Sequence, residues 1–176
     1  MTIILTILLA LGGLIALLLI AALFMKKEHY VKREIIINAP KQNVFDYIRL
    51  LKNQDEFNEN AMAGSHRVRE FKGTDGTVGF VYAWKGDKNA GEGEKEIIHI
   101  EEGKCVEAEI RFVKPMAATA SIIMTTEAIS PEQTRVSWSN AGILKYPLNI
   151  LVPLVERSIP KGMDSSLARL KHILEK

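Results

Sequence analysis

Phe80, Tyr82 and Trp84 alternate along one stretch of chain, so on a strand all three point to the same side. Ala108, Ile110 and Phe112 repeat that spacing, as do Val136, Trp138 and Asn140. Two arrangements satisfy this pattern. One is an aromatic-lined cavity in which the Tyr82 hydroxyl, the indole N–H groups and the Asn140 amide orient the polar end of a ligand. The other is a filled core whose polar tips are satisfied by backbone. Glu92, Glu94 and Glu96 share a parity with Ile98 and Ile100. If the isoleucines face inward on an unbroken strand, Glu94 and Glu96 point to the interior, where burial raises a carboxyl pKa and suits it to general acid–base work. A bulge at Gly91 or Gly93 instead sends them to solvent beside Lys95.

Other chemistries find little support. His29, His66, His99 and His172 are scattered and no Cys or His stands at metal-ligand spacing, so neither a metal nor a cofactor is expected. Gly91-x-Gly93 lacks the third glycine and following helix of a dinucleotide fingerprint. There is no Walker sequence, no nucleophile elbow and no activated Cys/His pair. The lone Cys105 permits no internal disulfide and fits a reducing compartment. Lys and Arg number 23 against 21 Asp and Glu, a net charge of +2 without a basic cluster, which argues against nucleic-acid binding.

The elements that must position these residues follow from periodicity. Of the first 25 residues, 21 are hydrophobic and none is charged. The run Ile3 to Met25 makes about 34 Å of helix at 1.5 Å per residue, just over the ~30 Å of a hydrocarbon core. Nothing basic precedes it and Ile20-Ala21-Ala22 is a poor cleavage site, so a retained anchor is expected in preference to a cleaved signal peptide. Lys26, Lys27, Lys32 and Arg33 follow the run, which by the positive-inside rule places the N-terminus outside and the remainder in the cytoplasm. Residues 1–29 are thus read as a single-pass anchor with a short linker, and 30–176 as one domain large enough for a core of its own.

Tyr30 to Asn38 reads as a strand, and Pro40 opens a helix carrying Val44, Phe45, Ile48 and Leu51. A short, polar second helix is placed at 54–60. Six strands follow: 67–72, 78–85, 92–101, 104–113, 118–129 and 134–141, joined by turns at Gly73-Thr74-Asp75-Gly76, 86–91, Glu102-Gly103, Lys114-Pro115 and Ser130-Pro131-Glu132. Ile159, Met163, Leu167, Leu170 and Leu174 form the apolar stripe of a terminal helix, with a break or kink expected from Pro153 and Pro160. One strand, a helical excursion, a six-stranded meander and a long helix make an α+β domain. A bent antiparallel sheet closed by one long helix leaves an interior space, either packed or a cavity.

The run Gly73-Thr74-Asp75-Gly76-Thr77-Val78-Gly79, then Val81-Tyr82, Trp84 and Gly91-x-Gly93-Glu94-x-Glu96-Ile97, resembles bacterial members of the START-like, polyketide-cyclase-like superfamily (SRPBCC). Glu109-x-Arg111-Phe112-x-Lys114-Pro115, Thr134-x-Val136-x-Trp138, and Gly162 followed by Leu167-Ala168-x-Leu170-Lys171 continue the resemblance over nearly all of 30–176. It implies a helix-grip fold, a curved seven-stranded antiparallel sheet wrapped on the C-terminal helix around a hydrophobic cavity. Relatives bind lipids, sterols or polyketides, and a few catalyse cyclisation or dehydration. No catalytic residue transfers to this chain.

The candidate lining is Phe80, Tyr82, Trp84, Glu94, Ile98, Ala108, Ile110, Phe112, Trp138, Asn140, Met163 and Leu167. The expected function is a membrane-anchored binding protein for an apolar small molecule or lipid. The alternatives are a cyclase or dehydratase, or a structural, partner-binding domain with a filled interior.

Overall fold

A computed structural model describes residues 2–58, 68–86, 91–114 and 116–176. The first helix, α1 (Thr2–Phe24), is apolar around its whole circumference and leaves nearly all its side chains exposed; Ala22, near its end, is buried. It is long and apolar enough to cross a membrane.

Seven strands follow: β1 (Glu28–Ile37), β2 (Val68–Lys72), β3 (Val81–Lys85), β4 (Glu92–Glu101), β5 (Cys105–Lys114), β6 (Ala118–Ser130) and β7 (Gln133–Ile143). They form one antiparallel sheet in the order β1-β7-β6-β5-β4-β3-β2. The consecutive strands β2 to β7 pair as a meander, and β1 closes the other edge against β7. Between β1 and β2 lie α2 (Lys41–Ile48), a 3-10 turn and the single-turn α3 (Gln54–Phe57). A second 3-10 turn, Leu148–Leu151, leads into the long α4 (Val152–Leu174).

The core forms where apolar parity meets the helical stripe. Ile37, Val44, Ile48, Phe57, Val136, Leu167 and Leu170 are almost fully buried, each side chain contributing about 1.5–3 kcal/mol of transfer free energy. Phe45, Leu51, Phe80, Ile97 and Val106 form a second cluster under β3 and β4.

Three expectations are revised. The proline break is absent: α4 runs unbroken from Val152 to Leu174, with Pro153 in the first turn, where an amide hydrogen would have no helical partner, and Pro160 accommodated inside. Packing of Met163, Leu167 and Leu170 overrides the local preference. The turn after β2 is wider than a tight hairpin, spanning Gly73 to Phe80, with Lys72 opposite Val81. Its Asp75 carboxylate is turned away to accept the Leu51 and Lys52 amides (2.8 and 3.1 Å), while Gly76 supplies the positive φ (+76°) that the Asp-Gly pair suggested. Strand β4 is bulged at Ile98, because Ile97 pairs with Ala108 while His99 pairs with Glu107. The ends assigned to the short helix at 59–60 and to the strand at 67, and the turn residues 87–90 and Pro115, lie outside the described residues.

Candidate functional site

Between the concave face of the sheet, α3 and α4 lies a cavity of about 540 Å³, inside the roughly 300–1,000 Å³ range of small-molecule sites. Its walls are mostly apolar: Trp84, Ile110, Phe112, Ile122, Ile159 and Met163. Gly93 makes room for one of them. A Cβ there would sit 2.7 Å from Trp84 Cζ2 and 2.7 Å from the Arg111 carbonyl oxygen, so only glycine lets the indole lie on β4.

Polar groups gather at two places. At one end are Gln54, Asp55, Asn58, Tyr82 and Lys95. The buried Lys95 amine donates to Gln54 Oε1 at 2.5 Å. Burial pushes its pKa down to about 8, against the opposing pull of the Asp55 charge. Asp55 is itself held by Arg69 (3.0 Å) and accepts the Tyr82 hydroxyl proton (2.7 Å). Burial, then the bond to Asp55, raises Tyr82 to about 12. Toward the other end His29 Nε2 meets Asn140 Oδ1 at 2.9 Å. His29 Nδ1 and Trp138 Nε1, both on the lining, are buried without a hydrogen-bond partner among the described residues.

Of the residues expected at the cavity, Tyr82, Trp84, Ile110, Phe112, Trp138, Asn140 and Met163 line it. Phe80, Ala108 and Leu167 face the same side of the fold but are consumed by the core. Glu94 and Ile98 point elsewhere. The bulge puts both Ile97 and Ile100 against the inner cluster and leaves Ile98 41% exposed. Parity upstream of it is therefore opposite to that expected, and Gly93 and Lys95 face inward. Glu94 and Glu96 lie on the outer face, where Arg111 bonds both (2.6 and 2.5 Å) together with Glu109 (2.5 Å). These three carboxylates raise the Arg111 pKa, Glu96 most. A buried general acid at Glu94 or Glu96 is thus excluded. The pairing of β4 with β5 is irregular at Glu92/Gly93 as well, but the bulge at Ile98 is the one that sets the facing of Glu94 and Glu96 against Ile98.

Sequence reasoning missed Lys95, Gln54, Asp55 and His29. The signal for Lys95 was the doublet Ile97-Ile98, two adjacent apolar residues on an otherwise alternating strand, which marks a change of parity. Among the described residues no cluster of His, Cys, Asp or Glu is arranged to hold a metal.

No protein-family model and no curated protein sequence matches the chain. Solved structures do. Norcoclaurine synthase from Thalictrum flavum, solved with dopamine and hydroxybenzaldehyde, superposes with a TM-score of 0.63 at 12% identity, covering 83% of this chain and 86% of that one. An aromatase/cyclase from a Streptomyces species gives 0.63 at 9% identity, covering 84% and 94%. A protein from Chromobacterium violaceum gives 0.59 at 14%, covering 84% and 97%. The body has the helix-grip fold of the START-like, polyketide-cyclase-like proteins. At these identities the likeness is one of fold. Within the helix-grip frame the cavity occupies the space between grip helix α4 and the sheet, and its polar groups are this chain's own.

Proposed function

We propose that this helix-grip protein binds an apolar or amphipathic small molecule in its interior while α1 anchors it in a membrane. The cavity carries the reading: a space of about 540 Å³ walled by aromatic and aliphatic side chains, with a few convergent polar groups, is built for a ligand rather than for packing. The buried, unpartnered Trp138 N–H adds to it, since such a donor is costly unless a ligand or water accepts from it. The fold neighbour solved with dopamine and hydroxybenzaldehyde supports a small-molecule guest by analogy.

The anchor and the cavity are close together. The fully buried Asn149 donates its amide to the Ala22 and Met25 carbonyl oxygens (2.5 and 3.0 Å), capping the end of α1 and fastening it to the turn before α4. Leu144, on the cavity wall, donates its backbone N–H to Lys27 O at 2.8 Å. The exposed Leu148, Leu151 and Leu154 flank Asn149 and would lie at the membrane interface. This placement favours a lipid taken from the adjacent bilayer. The lysines that follow α1 favour a cytoplasmic body; fusions of reporters to the C-terminus test that orientation, and activity only from an export-dependent reporter would reverse it.

Ligand entry is read by contact quenching. Trp84 and Trp138 are the two tryptophans of the chain, and both line the cavity. A dibrominated acyl methyl ester added to the full chain in dodecyl maltoside should quench both saturably. Quenching no greater than that of free tryptophan in the same micelles would count against a ligand-binding interior.

A further inference from the structure

The apolar wall explains why a hydrocarbon would enter, but not why an ammonium is buried at its end. Lys95 Nζ has one partner among the described residues, the neutral Gln54 side chain, leaving two of its three N–H donors unused. Among the described residues no carboxylate forms an ion pair with it. Asp55 lies near enough to be felt, but its charge is balanced by Arg69 at 3.0 Å and further satisfied by the Tyr82 hydroxyl at 2.7 Å. Lys114, the other lysine on the wall, is paired with Glu92 at 2.9 Å. Among the described residues the cavity therefore carries one uncompensated positive charge. Buried charges are kept where something pairs with them.

We propose that Lys95 is the head-group site of the cavity and that the ligand is a carboxylate-bearing amphiphile, its apolar chain lying along Trp84, Phe112, Ile110 and Met163. This deepens the binding role proposed above and rests on it. One negative charge matches one unpaired ammonium. A dianionic head such as a phosphate monoester would bring a surplus charge toward Asp55 into a space with no second free cation among the described residues. Gln54 holds the amine in place from the α3 side, and the two remaining N–H groups can donate to the two oxygens of a carboxylate.

The test compares 9,10-dibromostearic acid with its methyl ester, which has the same chain and no charge, by tryptophan quenching of the full chain at pH 7. The wild type should bind the acid at least about tenfold more tightly than the ester, as expected for a buried charge-assisted bond. Lys95→Met should bind the two within about twofold of each other, and Lys95→Gln, a second neutral variant, should do the same. Equal binding of acid and ester by the wild type would overturn the head-group assignment and leave the cavity intact. So would a preference for the acid that survives either substitution. Failure of both probes to quench the wild type would overturn the binding role and the head-group site with it.

Discussion

Lys95→Met should make the protein more stable at neutral pH and less able to bind an acidic ligand, and the size of the first effect can be worked from the structure. Burial lowers the Lys95 pKa from its ordinary 10.5 to about 8. The unfolded chain therefore holds this proton more firmly than the folded one, and folding with a charged Lys95 costs about 3 kcal/mol at pH 7. That cost is fully present below pH 8 and disappears as the pH rises toward 10.5. At pH 9.5 about 1.4 kcal/mol of it remains. Methionine removes the charge but strands Gln54 Oε1, a loss of about 1–3 kcal/mol that does not change with pH. The variant should thus gain up to about 2 kcal/mol at pH 7, and that advantage should shrink by about 2 kcal/mol between pH 7 and 9.5, whatever the Gln54 loss. Urea unfolding of the full chain in dodecyl maltoside, followed by tryptophan fluorescence at a series of pH values, measures both curves. Parallel curves for wild type and variant would refute a buried, strongly shifted Lys95.

Gly93→Ala should destabilise by about 1–3 kcal/mol in the same unfolding assay and shift tryptophan emission, because its methyl group meets the Arg111 carbonyl and the Trp84 ring. Arg111→Met should cost little, about 1 kcal/mol or less for so exposed a cluster, and like Glu94→Gln should leave probe binding unchanged; a loss of binding in either would put the outer face back into the site. Asn149→Ala should free the end of α1 from the body, so that limited trypsin digestion cuts faster after Lys26 and Lys27; unchanged cutting would mean the cap does not hold the two together.

Much of this architecture was legible because local and global signals agree. On β5 up to Ile110 and on β6 up to Thr126 buried residues alternate regularly with more exposed ones, and Val106, Ala108 and Ile110 fall on the inner face as their parity requires. The stripe Met163, Leu167, Leu170 likewise announced the helix that covers the sheet. Pro153 and Pro160 misled because their effect depends on position and packing: one sits where no hydrogen bond is lost, and the other is carried by a helix whose stripe is already buried. The polar end of the cavity was hidden for two reasons. A one-residue bulge at Ile98 reverses every facing upstream of it, exchanging Glu94 for Lys95. Gln54 and Asp55 reach the cavity on a single helical turn too short and polar to show a period, and only tertiary packing brings them beside β3 and β4. Lysine is also the residue type least expected inside, so no pattern of hydrophobicity could point to it.

The most direct measurement is of what the protein carries. The full chain and an Ala120→Phe variant, in which the ring fills part of the cavity wall, are purified side by side in detergent, and their organic extracts are compared by mass spectrometry. Annular lipid held around α1 is common to both samples. The wild type should yield an additional amphipathic species, approaching one per chain, that is depleted in the variant. Identical extracts from two equally folded proteins would contradict the claim that the interior of this domain is a container.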